Sequence, residues 1–141
     1  MHRTAMHRSL LLLPAAALLA AAPLVAGAQT AKPALYTAEQ ATAGAMVYSQ
    51  ACAACHGTQL EGVAAPALKG SAFGDMATAQ SLTAQALLDV IANTMPQSDP
   101  GSLKPEDNTA VTAYILQQNG YPAGSTALAK GAAGLDAKVT P

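Results

Sequence analysis

Apolar residues recur with a helical period in three separated stretches of this chain, and no stretch shows the period of two that marks a half-buried strand. The first stretch runs from Thr37 to Ala54. It is rich in alanine, Thr37 stands where an N-cap belongs, and Glu39 falls in the first turn, where the helix dipole favours a carboxylate. Gly44, Tyr48 and Cys52 repeat every fourth residue and form one stripe. A glycine inside a helix costs roughly 1 kcal/mol. A second backbone crossing closely at Gly44 would explain it; a merely weak helix position is the other reading. Tyr48 is expected in the core, and so is Met46, which lies on a different side of the helix.

The second stretch, Ser81 to Asn93, has Thr83 as its candidate cap and Leu87, Leu88, Val90 and Ile91 as its buried side, and it stops before Pro96. The third follows Pro105, a residue suited to the first helical position. Glu106 and Asp107 lie in its first turn, Val111, Tyr114 and Ile115 on its apolar stripe, and Gly120 at its end. Lys104 occupies its cap position, where serine or threonine would serve better, so Ser102 or the carboxylates must compensate. Between the first two stretches, Gly57 to Gly74 is apolar, glycine-bearing and aperiodic, and reads as a loop that wraps something rather than hanging in water. Beyond Tyr121 the chain is Ala, Gly and Thr with little pattern, and a flexible C-terminal tail is expected over 122–141. The expectation is all-α.

At the N-terminus, Arg3 and Arg8 lead an apolar run from Leu10 to Val25, and Ala26-Gly27-Ala28 offers a small-x-small cleavage site. Residues 1–28 therefore read as a signal peptide, with Met6 an equally good start. An uncleaved anchor is the competing reading, but the run falls short of the roughly 20 residues a spanning helix needs and is broken by Pro14 and Pro23. Cleavage leaves a short extension, 29–36, ahead of one domain, 37–121. Both arginines leave with the leader, so five lysines stand against eight carboxylates, a net charge of −3. With no basic stripe, nucleic-acid binding is excluded; no transmembrane segment is expected after cleavage, and the expected partner is a protein. A domain this small has a thin core unless a large apolar group completes it.

Candidate chemistry centres on Cys52-Ala53-Ala54-Cys55-His56. On a helical turn the two thiols and the imidazole share one face, and CxxCH is the attachment signature of haem c. The thiols would form thioethers with its two vinyl groups and His56 would take the proximal iron site. A redox dithiol is the alternative, but it wants a βαβ frame. A zinc site wants four ligands, and outside the leader these are the only cysteines and histidine. Export fits haem attachment, because an empty CxxC would tend to oxidise in the periplasm. For the second axial site no further histidine remains, which leaves Met46, Met76 and Met95. Met46 is too near the attachment site to reach across a porphyrin. Met95, just past an apolar helix and fixed by Pro96, is favoured, and Met76, in a Gly-Asp-Met segment, remains as a substitute. A soft thioether favours reduced iron, and a haem closed on both faces passes electrons rather than binding substrate.

With the CAACH motif after an N-terminal helix, Thr94-Met95-Pro96 downstream and a closing helix, the chain resembles the small bacterial class I cytochromes c over about Thr37 to Tyr121. The resemblance implies three main helices and loops wrapped around one covalent haem, held through Cys52 and Cys55 with iron ligands His56 and Met95. It implies a crossing of first and last helices at Gly44 and Tyr114. It also implies that the Pro66 carbonyl accepts the His56 imidazole N–H and that Leu68 lines the haem pocket. The stretch from Gly57 to Gly62 followed by Pro66-Ala67-Leu68 is also similar to cytochrome subunits of periplasmic alcohol and sugar dehydrogenases. Two departures matter: no arginine or tryptophan is left to hold a haem propionate, and five scattered lysines make no docking ring. The expectation is an electron carrier, not an enzyme, working between a dehydrogenase or quinol-oxidising donor and a terminal acceptor. An accepting subunit of a dehydrogenase complex is the first alternative, and a haem sensor or peroxidase with a labile distal ligand the second.

Overall fold

The computed structural model describes residues 31–140, so the leader expected at 1–28 lies outside the described residues. Among the described residues five helices follow one another: α1 (Ala38–Ala51), α2 (Ala53–His56), α3 (Gly70–Ala79), α4 (Ala84–Thr94) and α5 (Pro105–Gln118). The fold is all-α. Among the described residues the only β pairing is an isolated antiparallel bridge between Thr83 and Lys138, and no helix is long and apolar enough to cross a membrane.

Helix α1 starts at Thr37, whose hydroxyl accepts from the Gln40 amide while the Gln40 side chain accepts from the Thr37 N–H, a reciprocal capping box. The helix breaks at Cys52 and resumes as the short α2, so the motif sits on a fresh turn rather than deep within one long helix. Helix α5 begins with Pro105 at N1 and has no side-chain cap: Lys104 occupies the cap position without filling the role, and Ser102 does not substitute for it.

Helices α1 and α5 form the main packing pair and cross at Gly44. A Cβ built there would lie 1.9 Å from the Ala110 carbonyl oxygen and 2.9 Å from the Tyr114 Cβ, well inside van der Waals contact. The lost side chain is what allows the backbones to meet, which accounts for a glycine inside a helix. Tyr48 and Tyr114 pack beside the crossing with ring centroids 5.4 Å apart and planes tilted by 53°. Gly44→Val must push α1 off α5. Overpacking of this kind costs about 1–3 kcal/mol, read as a melting temperature lower by roughly 4–8 °C per kcal/mol, with haem content unchanged.

Four expectations need correction. Val90, expected on the buried side of α4 with Leu87, Leu88 and Ile91, is 46% exposed. The loop expected over Gly57 to Gly74 ends at Lys69, and α3 occupies Gly70–Ala79 with Phe73, Gly74 and Ala77 buried. Its only large apolar anchors are Phe73 and Met76, so its periodicity is hidden among glycine and alanine. Met46 is 60% exposed rather than packed. The segment beyond Tyr121 is not a loose tail: Leu128, Leu135 and Val139 are buried in the same core as Tyr36, Leu82 and Leu88. The residues ahead of α1 also join that core, since the Tyr36 hydroxyl donates to the Tyr121 carbonyl and the Gly124 N–H to the Tyr36 carbonyl.

Candidate functional site

One apolar cavity of about 610 Å³ opens beside α2, a size within the roughly 300–1,000 Å³ typical of ligand and cofactor sites. Cys52, Cys55 and His56 line it from the start and end of α2, Pro66 and Leu68 from the following loop, Leu87, Val90 and Ile91 from α4, and Val111 and Ile115 from α5. Met95, at the C-cap of α4, lines the same space. Cys52, Cys55, His56, Pro66, Leu68 and the favoured methionine, Met95, thus reach one cavity. Met76 does not line it; it packs against the core from α3, and Met46 does not line it either.

Local hydrogen bonding explains how the motif is held. Carbonyls at the end of a helix lack partners within it, and here the loop supplies them. The Cys55 carbonyl accepts from the amides of Val63, Ala64 and Ala65 at 3.2, 3.0 and 3.0 Å, and the His56 carbonyl accepts from Gly62 at 2.8 Å. These bonds fold residues 62–66 back over α2. They bring the Pro66 carbonyl 2.8 Å from His56 Nδ1. A carbonyl only accepts, so Nδ1 carries the proton and Nε2 keeps its lone pair free for a metal.

Burial pushes the Cys52 thiol up, and the neighbouring Cys55 adds to that shift. Catalytic redox dithiols instead depend on a thiolate stabilised by positive surroundings. The environment of Cys52 suits a thiol waiting for covalent capture better than a nucleophile.

Asn119, at the C-cap of α5, was not foreseen from the sequence. Its Nδ2 donates to the Leu68 carbonyl at 2.9 Å and to the Ile115 carbonyl at 2.8 Å, tying the loop wall of the cavity to the helical wall. An asparagine just before Gly120 is an ordinary helix-end signal, and nothing in the sequence pairs it with Leu68. The Tyr48 hydroxyl donates to the Gly57 carbonyl at 2.7 Å, bracing the far side of the motif.

Burial first, then the negative charges available to Cys52, Tyr114 and Glu61, push the Tyr48 phenol up to about 12 from an ordinary value of 10.0. The folded chain therefore keeps a proton that the unfolded chain loses near pH 10. The stabilisation is fully present below pH about 10 and is lost as pH rises towards about 12. Urea unfolding at neutral pH and at pH about 11 should show the wild type losing stability, and Tyr48→Phe losing less across the same interval.

The residues present fit a porphyrin held through two thioethers: the cavity is apolar, both thiols and the imidazole reach it, and the imidazole is oriented with its coordinating nitrogen free. An all-α fold with this site defines a small monohaem class I cytochrome c. The family model described as "Cytochrome C oxidase, cbb3-type, subunit III" matches residues 39–115, more than half of the chain, and the chain belongs to that family. The domain carries covalently bound c-type haem, and its work is haem-based electron transfer with redox partners. No curated protein and no solved structure matches the chain.

Proposed function

We propose that this protein is an exported, periplasmic one-electron carrier, not an enzyme, in which Cys52 and Cys55 hold haem c while His56 and Met95 provide the axial ligands. The observation that carries this reading is the convergence of both candidate ligands on one apolar cavity, with His56 Nδ1 spent on the Pro66 carbonyl. When bound, the haem supplies a ferric/ferrous couple.

The protein's residues tune that couple. Pro66 fixes the ring orientation and tautomer of His56 and raises the donor strength of Nε2. Met95 offers a soft thioether that favours the reduced state. Leu68, Leu87, Ile91, Val111 and Ile115 give the cavity an apolar wall that would exclude water from the bound group, which would disfavour the extra charge of the oxidised centre. Neutral donors at Gln50, Gln97, Ser98 and Ser102 line the same cavity as Asp99 and are the groups available to propionates in a chain without mature arginine or tryptophan.

Docking by apolar contact suits this surface better than charge steering. Val63, 73% exposed, adjoins Ala64 and Ala65 at the cavity, and the mature chain is mildly acidic. The family description names an oxidase subunit, and the loop from Gly57 to Leu68 is similar to cytochrome subunits of alcohol and sugar dehydrogenases; both favour membership of a complex as the second reading. Native purification from the periplasm, followed by redox titration, tests the carrier. Expected are a free monohaem protein titrating reversibly as a one-electron centre and no carbon monoxide binding at neutral pH. Quantitative co-purification with a large catalytic subunit would replace the free carrier with the subunit reading, and tight carbon monoxide binding would favour a sensor or peroxidase.

A further inference from the structure

The first four N–H groups of a helix have no partners within it. In α4 the Ala84 amide donates to the Ala137 carbonyl at 3.0 Å and the Gln85 amide to the Leu135 carbonyl at 2.8 Å. The Thr83 hydroxyl accepts from a third, Ala86, and its carbonyl accepts the first bond within the helix, from Leu87. Half of the start of α4 is therefore capped by a chain segment more than forty residues away in sequence. Alongside, the Val139 amide donates to the Leu82 carbonyl at 2.8 Å, and Gly131 donates to the Gln85 side chain at 3.1 Å.

That segment is itself tied down at both ends. The Gln40 side chain both donates to and accepts from the Leu128 backbone, at 2.9 and 2.7 Å. Lys32 donates to the carbonyls of Asn119 and Thr140 at 2.8 and 3.0 Å and lies over the Tyr121 ring. Leu128, Leu135 and Val139 fill the space beneath. None of the residues after Tyr121 lines the haem cavity. Among the helices, α4 approaches only α5, so the C-terminal segment is its other principal support. At 1.5 Å per residue, the 11 residues of α4 carry that support roughly 16 Å to the turn where the Met95 amide donates to Ile91 at 3.2 Å.

We propose that residues 122–140 are a strap that positions the distal ligand: by capping α4 they hold the Ile91–Met95 turn at the cavity and set how often the Met95 thioether leaves the iron. This rests on the assignment of Met95 as axial ligand. Without the strap, the Ala84 and Gln85 amides lose their acceptors and α4 opens locally from its start, in the way weakly supported elements open ahead of global unfolding. Leu135 and Val139 are the positioning residues, acting through α4 and not on the haem.

The test uses the full-length holoprotein with Leu135→Ala/Val139→Ala, and Val139→Thr as a milder variant of the same shape should the double change prevent folding. Binding of imidazole to the ferric protein reports departure of the native ligand, and amide hydrogen exchange reports the opening of α4. Expected are imidazole binding about ten-fold faster or more and lost protection at Ala84 to Leu87, with α1 and α5 amides still protected and haem still covalent. A lowered melting temperature with unchanged imidazole kinetics would overturn the proposal and leave the strap as bulk stability only. Met95→Ala in the intact background separates the two assignments. If that change leaves imidazole kinetics unaltered, the ligand assignment fails and the positioning role with it, whatever the exchange data say of the cap.

Discussion

Cys52→Ala/Cys55→Ala is expected to abolish covalent haem: acidified organic solvent should strip all haem from the double variant and none from the wild type. The loss should reach the fold as well. Leu68, Leu87, Ile91, Val111 and Ile115 line a cavity of about 610 Å³, and burying one such side chain is worth about 1.5–3 kcal/mol. Several together approach the roughly 5–15 kcal/mol that holds a small domain folded. Free haem binding through His56 could restore part of that burial, but its effect would depend on haem concentration, whereas a thioether-linked group never leaves. The double variant should therefore show weak far-ultraviolet helicity and rapid proteolysis at ordinary concentrations. Each single variant, keeping one thioether, should fall between. A double variant that stays fully helical without haem would mean the helices alone supply a sufficient core.

Met95→Ala is the second change with a large expected effect, and it should act on function with little damage to the fold. Met95 is only half-buried, at the C-cap of α4 and not in its buried face, which is built by Leu87, Leu88 and Ile91. With Met95 as the proposed axial ligand, losing its side chain should open the distal position to water or added ligands. The reduction potential should drop, because a soft donor that favours ferrous iron has been removed. Carbon monoxide, which Met95 ligation would exclude from the wild type, should bind the reduced variant readily. Secondary structure and covalent haem should be unchanged.

Much of this site was legible in advance because its residues are close in sequence or punctuated by strong signals. Cys52, Cys55 and His56 share one turn, Thr83 and Pro105 mark helix starts, and Gly44 announced a close crossing that Ala110 then supplies. The Pro66 and Leu68 roles came from resemblance, since no periodicity points an isolated loop carbonyl at an imidazole; the 2.8 Å contact gives the Pro66 expectation a geometry. What escaped sequence reading is long-range and carried by backbone. Helix α3 hides its stripe in alanine and glycine. The segment after Tyr121 has just three large apolar residues among small ones, Leu128, Leu135 and Val139, and its main bonds come from carbonyls that look alike in any sequence. Asn119 belongs to the same class, because its partner Leu68 lies 51 residues away.

Ligation of the iron by His56 and Met95 decides between a closed electron carrier and an open haem site, and optical spectra of the purified oxidised and reduced protein test it most directly. The prediction is a low-spin spectrum with the weak sulfur-to-iron charge-transfer band in the red of the oxidised form, absent after Met95→Ala while covalent haem remains. A wild type that lacks the band and is high-spin, or a Met95→Ala variant that keeps it, would contradict the assignment.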